Sequence, residues 1–124
     1  MIPRYRAWDS WRKRMSAVDR IYIDTEGVRL YDDFGWYWRD FRDVKLMQST
    51  GLKDRNSVEI FEGDIVKMSK DVYSEPTYYE VVRHRGGAYR LDSKQHGCEL
   101  WLRHADCEVV GNVYKNPELL EDKE

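Results

Sequence analysis

Apolar and polar positions alternate over short stretches along most of the chain, and turn-forming residues interrupt them every few positions. Period two is the signature of strands whose successive side chains point to opposite faces. Arg20 to Ile23 is such a run, and Val28, Leu30 and Tyr31 begin the next, so Asp24-Thr25-Glu26-Gly27 reads as a hairpin turn. Asp32-Asp33-Phe34-Gly35 is a second turn, followed by Trp36-Tyr37-Trp38, in which the two tryptophans share a face and Tyr37 takes the other. Val44 to Gln48 is a mixed apolar stretch ending at Thr50-Gly51.

Asp54-Arg55-Asn56-Ser57 is a polar turn before Val58 to Phe61, and Glu62-Gly63-Asp64 separates that run from Ile65 to Met68. Ile65 and Val66 face opposite ways, so one is expected in a core and the other against a partner or loop. Val72 to Pro76 reads as loop, Tyr78 to Arg83 as strand, Gly86-Gly87 as a turn, and Ala88 to Leu91 as the returning strand. Glu99 to Leu102 and Glu108 to Tyr114 look like two more strands. Phe41, Val44 and Met47 have helical spacing and predict one amphipathic helix between Arg39 and Met47. Asn116-Pro117-Glu118 carries a helix-start signal. The sum, about eight or nine short strands, predicts a mainly β fold: a small antiparallel barrel, closed or partly open, with a short helical turn near the C-terminus.

Length and composition narrow this picture. The 124 residues fit a single domain, 1–124. An aromatic share of 14% argues against disorder, because Trp, Tyr and Phe carry large burial energies. The 21 basic and 23 acidic residues leave a net charge of -2, so no global field draws the chain to nucleic acid or an anionic membrane. No apolar run is long enough to span a bilayer, and Met1-Ile2-Pro3-Arg4 leads into charged residues rather than a signal-peptide core. Two cysteines in a chain of this size fit a reducing compartment, so the cytoplasm is the expected location.

Three segments resemble one known family. The first is Arg6-Ala7-Trp8-Asp9, with Met15 beyond it. The second runs from Leu46-Met47-Gln48-Ser49-Thr50-Gly51-Leu52-Lys53-Asp54 to Glu59-Ile60-Phe61-Glu62-Gly63-Asp64-Ile65-Val66. The third is Cys107-Glu108-Val109-Val110-Gly111-Asn112-Val113-Tyr114 with Asn116-Pro117-Glu118-Leu119-Leu120. In order and spacing these resemble the YopX family of bacteriophage and prophage proteins. The resemblance implies a β-barrel related to SH3-like barrels and no assigned activity, so it supplies no catalytic residue. Two positions depart from the family pattern: Ser49 stands where the family usually has Tyr, and Ser57 where it usually has Gly. The second departure predicts a different turn type, or a left-handed Asn56. Gly51, Gly63 and Gly111 are expected at turns or close backbone approaches.

Candidate chemistry divides four ways. His96, Cys98, His104 and Cys107 are zinc-competent side chains within twelve positions, but their spacing is not that of a knuckle; a buried Cys107 with surface histidines is the plainer reading. Asp54, Glu59, Glu62 and Asp64 could supply an acid–base pair, against which stands their expected role as solvated turn residues. Glu62 and Asp64, around Gly63, are expected in solvent, or one of them on backbone N–H groups. Arginines around Tyr5, Trp8 and Trp11, and Arg83, Arg85 and Arg90 around the Gly86-Gly87 turn, are the pieces of a single-strand nucleic-acid surface; the near-neutral total charge weighs against it.

Five tryptophans and nine tyrosines are more than a core of this size hides, and such residues dominate protein interfaces. The stretch Phe34 to Trp38 with Tyr73, Tyr78 and Tyr79 is expected to be exposed. The sequence reads as a non-enzymatic phage or prophage accessory protein that binds another protein or a second copy of itself. Trp36, Tyr37, Trp38, Tyr78, Tyr79, Arg83, Arg85 and Arg90 are its candidate binding residues, with no cofactor and no membrane partner. A single-stranded nucleic-acid-binding barrel is the alternative.

Overall fold

The computed structural model describes residues 4–69, 75–84, 86–94 and 97–121, and divides the chain into two compact units, Met1–Ser49 and Thr50–Glu124. The first unit holds β1 (Tyr5–Asp9), β2 (Arg14–Tyr22), β3 (Gly27–Asp32), β4 (Gly35–Asp40) and the start of β5 (Val44–Lys53). All its pairings are antiparallel, in the spatial order β4-β3-β2-β1-β5. Alternation explains its core: Ala7, Val28, Leu30 and Val44 are buried on one face, with Val18, Ile21, Tyr37, Phe41 and Leu46 packed around them. The β2–β3 hairpin closes at Tyr22 and Gly27, where the sequence placed it. Its register shifts between Val18 and Arg20, a bulge that carries Asp19.

The helix expected over Arg39–Met47 is not there. Phe41–Asp43 forms one 3₁₀ turn, and from Val44 the chain is extended, pairing Val44 with Asp9 and Leu46 with Ala7. Val44 and Leu46 fit period two as well as Phe41, Val44 and Met47 fit a helix. The available edge of β1 decides between them, as tertiary pairing often overrides a short local pattern. Asp9, fully buried, anchors the turn after β1: its Oδ1 accepts the N–H of Trp11 at 2.9 Å and of Arg12 at 3.3 Å, and Arg39 Nε stands 3.3 Å away.

The second unit begins with the distal part of β5, which β6 (Glu59–Phe61) neighbours. It continues through β7 (Asp64–Met68), β8 (Thr77–Arg83), β9 (Tyr89–Asp92), β10 (Gly97–Glu99), α1 (Leu100–Arg103), a 3₁₀ turn (His104–Asp106), β11 (Glu108–Asn112) and a final 3₁₀ turn (Pro117–Leu120). Its five-stranded antiparallel sheet has the order β10-β9-β8-β7-β11. Ile60, Val66, Met68, Tyr79, Val81, Leu91, Leu100 and Cys107 form the core.

The fold is therefore mainly β, two antiparallel sheets with a short helical turn near the C-terminus; among the described residues neither sheet closes on itself, so the closed-barrel alternative falls away. Ile65 and Val66 are both fully buried, so both sides of β7 are covered and neither residue is left for a partner. Glu99–Leu102 is not a strand: β10 ends at Glu99 and one turn of helix follows, which turns Leu100 into the core. The expected loop Val72 to Pro76 lies mostly outside the described residues.

Asp54 organises the entry to the second unit. Its buried carboxylate takes the N–H groups of Asn56 at 2.8 Å and Val58 at 2.9 Å on Oδ1, and that of Val109, from β11, at 2.9 Å on Oδ2. Burial alone would raise its pKa, but the three N–H donors outweigh that and hold it below the ordinary aspartate value. The left-handed residue of this turn is Ser57, with φ 66°, and not Asn56. The turn thus keeps the conformation that suits glycine while carrying serine. Gly51 and Gly63 also have positive φ, 78° and 86°. At Gly111 the constraint is space: a Cβ would stand 2.5 Å from Asn116 Oδ1.

Candidate functional site

The exposed aromatic surface of the first unit is built by the β3–β4 hairpin. Its register sets Tyr31 against Trp36 and Arg29 against Trp38 on one face, and Leu30 against Tyr37 and Val28 against Arg39 on the other. Trp36 is 61% exposed and Trp38 41%, and Phe34, at the hairpin tip, is 86% exposed. These rings form an ordered array. Tyr31 and Trp36 stand 5.1 Å apart and Tyr22 and Trp38 5.4 Å, each pair tilted by 50°. Trp38 lies across Gly27, where a Cβ would come within 2.0 Å of the indole, so glycine there lets the ring reach Tyr22. The Arg29 guanidinium sits 4.8 Å from the Trp36 ring and is fixed by Asp19, whose Oδ2 accepts Arg29 Nε at 2.7 Å. The β2 bulge is what carries Asp19.

Tyr37 belongs to the opposite face. It is half-buried between the guanidiniums of Arg12 (4.3 Å) and Arg39 (4.8 Å), with its hydroxyl 2.6 Å from Ser16 Oγ. Arg12 and Arg14 both pair with Asp32, and Arg14 also lies 5.9 Å from the Phe34 ring. The Phe34 N–H, then Arg14 and Arg12, hold the Asp32 carboxyl below its ordinary range. The hairpin is thus aromatic with mixed charge: Asp19 and Asp32 stand against Arg29, Arg12 and Arg14. A groove of about 530 Å³ at the base of the same hairpin is lined by Thr25, Glu26, Asp40, Phe41 and Arg42.

Among the candidates in the second unit, Tyr78 is exposed, but Tyr79 is only 8% exposed and belongs to the core, since the two alternate along β8. Arg83 is exposed, while Arg90 is held by Glu99 at 2.5 Å and Asp92 at 3.8 Å. Arg85, Tyr73 and His96 lie outside the described residues. Of the metal-competent set, Cys98 packs on the core, His104 Nδ1 is 2.7 Å from the Lys53 carbonyl, and Cys107 is fully buried with its thiol 3.3 Å from the Arg103 carbonyl. Burial pushes the Cys107 thiol up to about 12, so at neutral pH it is an uncharged core group. Among the described residues no cluster of three or more His, Cys, Asp or Glu is arranged to hold a metal ion.

The carboxylates expected in solvated turns are partly internal: Asp54 and Asp64 are both buried, and Asp64 Oδ2 accepts the Phe61 N–H at 2.8 Å. Backbone N–H groups in tight turns drew them inward, which is the alternative the sequence left for the Glu62-Gly63-Asp64 turn. Sequence reasoning missed Arg29 and Tyr31, whose place on the tryptophan face depends on cross-strand register. It also missed Trp101 and Leu102, which α1 leaves exposed. No described helix is long and apolar enough to cross a membrane.

Comparison with known proteins agrees with the fold. Residues 4–121 match the family model described as YopX protein. The chain is 29% identical over 140 aligned positions, 98% of each protein, to the SPbeta prophage-derived uncharacterized protein YopX of Bacillus subtilis (strain 168). Among solved structures it is similar to protein EF1440 from Enterococcus faecalis, with TM-score 0.67, 29% identity and coverage of 98% of this chain and 99% of that one. The crystal structure of protein yopX from Bacillus subtilis is also similar, with TM-score 0.66, 25% identity and coverage of 95% and 98%. With matches along nearly its whole length in both sequence and backbone, the chain belongs to the YopX family.

Proposed function

We propose that this chain is a phage or prophage accessory protein that acts in the bacterial cytoplasm without catalysis, by binding a protein through the outer face of the β3–β4 hairpin. We take residues 4–121, matched by one family model, to work as one domain. One observation carries the reading: Trp36 and Trp38 stand exposed and prearranged, Trp36 against Tyr31 and Arg29 and Trp38 against Tyr22. Ordered aromatics lose little rotamer freedom on binding, so burying them contributes most of its apolar gain to affinity. The tryptophan face of the hairpin has the composition of an interface centre, aromatic rings beside an arginine.

Charge argues against nucleic acid as the partner. Residues 1–49 carry ten basic and eight acidic side chains, and the arginines nearest the aromatics are paired with Asp19 and Asp32. A phosphate-binding surface needs an uncompensated excess of positive charge. The test is light scattering coupled to size exclusion, with and without a short oligothymidylate, at low and high salt. An elution and mass indifferent to the oligonucleotide are expected. A complex with the oligonucleotide that dissolves at high salt would put nucleic-acid binding first.

A further inference from the structure

Among the described residues β4 is an end strand of its sheet, and its outer edge can pair with a second copy of itself. The Phe41 N–H bonds the Glu26 carbonyl at 2.8 Å, which fixes the phase of the β3–β4 ladder. Directly bonded pairs then fall at Val28/Arg39, Leu30/Tyr37 and Asp32/Gly35. The residues between them, Trp36 and Trp38, turn their backbone N–H and C=O groups away from β3, toward the open edge. Gly35–Asp40 contains no proline and no lysine, and its inward charge is Arg39. One outward carbonyl, that of Trp38, is capped by the chain's own Arg39 Nη1 at 2.9 Å.

From this we infer that the partner for the hairpin is a second copy of the same chain, joined β4 to β4, antiparallel, about a twofold axis at Tyr37. This rests on the reading of the hairpin as a binding surface and names its occupant. In that register Trp36 of each copy lies opposite Trp38 of the other, so both outward pairs of backbone groups are satisfied. The exposed indoles then meet as two cross-strand aromatic pairs on the same face. Arg39 falls opposite Gly35, which has no side chain to obstruct it as the guanidinium leaves the Trp38 carbonyl. The contact is isologous, as closed twofold dimers require.

The test combines mass and amide exchange on the whole protein across micromolar to millimolar concentration. The expected result is a rise from 14.9 kDa toward twice that mass, with the amide protons of Trp36 and Trp38 exchanging at least tenfold more slowly at the high end. Trp36→Lys, which places a charge on the edge without touching the inner core, should shift the monomer–dimer midpoint at least tenfold upward in concentration. A monomer throughout overturns the β4 pairing and leaves the aromatic face to a different protein. A dimer in which the Trp36 and Trp38 amides stay fast, and which Trp36→Lys leaves unchanged, overturns both the pairing and the placement of the binding surface on this hairpin.

Discussion

Replacing Asp54 by asparagine changes one atom and should cost the second unit much of its stability. The carboxylate accepts three backbone N–H groups, two on one oxygen and one on the other, in a site sealed from solvent. An asparagine has a single acceptor oxygen. If that oxygen faces Asn56 and Val58, the amide NH₂ points at the Val109 N–H, donor against donor. If it is flipped, two bonds in the turn are lost instead. Losing a buried hydrogen bond to a charged group costs about 1.5–3 kcal/mol, so Asp54→Asn should destabilise by about 2–4 kcal/mol.

The pH dependence follows from the direction of the pKa shift. Asp54 titrates below its ordinary 3.8 in the folded chain, so the unfolded state takes up the proton first as pH falls. Its contribution is present in full well above pH 3.8 and is lost as pH drops toward the lower folded value. Urea unfolding of wild type and variant at neutral pH and in acid measures both effects. The gap should be widest at neutral pH and should narrow in acid. A variant within about 0.5 kcal/mol of wild type at neutral pH, the range of ordinary surface substitutions, would refute the assignment of Asp54 as the clasp of this turn.

Ser57→Gly should stabilise by up to about 1.6 kcal/mol in the same unfolding experiment, because the left-handed conformation costs a side chain about 1–2 kcal/mol while glycine's extra unfolded entropy offsets about 0.4–1 kcal/mol of that. A loss of stability there would mean the serine side chain holds the turn. Glu80 lies directly across from Asp92, and burial, then that neighbour, raise its pKa. A carboxyl whose folded pKa is raised favours folding below its unfolded value of 4.5 and opposes it above, so Glu80→Gln should stabilise at neutral pH by about 0.2–1 kcal/mol and have no effect in acid; equal gains at both pH values would sink this account. Cys107, with its thiol at about 12, should resist alkylation in the native protein at mildly alkaline pH and react on unfolding, which mass spectrometry of the labelled peptide reads directly.

How much of this was legible beforehand depends on where each residue's conformation is decided. Strands framed by glycine and aspartate turns were readable because both signals are local: the hairpins at Gly27 and Gly35 stand where alternation and turn residues put them. The alternation that set Trp36 and Trp38 on one face was readable for the same reason. The segments misjudged are those settled from a distance. Val44 became strand because β1 offered an edge, and Glu99–Leu102 broke after β10 because Leu100 had a core to enter. Tyr79 looked like its neighbour Tyr78 in sequence, and only the presence of a core on one side of β8 separates them. Asp54 read as a solvated turn residue because its third donor lies 55 positions away. Arg29 joined the tryptophan face through the β3–β4 register, and the β2 bulge that carries its partner Asp19 is announced by no local motif.

That same 55-residue span bears on how the chain folds. The turn at Asp54 can form its two local bonds early, but its second oxygen has no donor until β11 arrives, and the Arg55 N–H likewise waits for the Cys107 carbonyl. Closing a loop of that length before its rewards are collected is an entropic barrier, and contacts of such separation slow folding. On a ribosome, the turn would stay half-liganded and β5 and β6 without their final support until residue 109 had emerged. The second unit should therefore fold late, while the hairpins of the first unit, which close within a few residues, can form as it is made, ahead of the β1–β5 pairing that joins Tyr5 to Gln48.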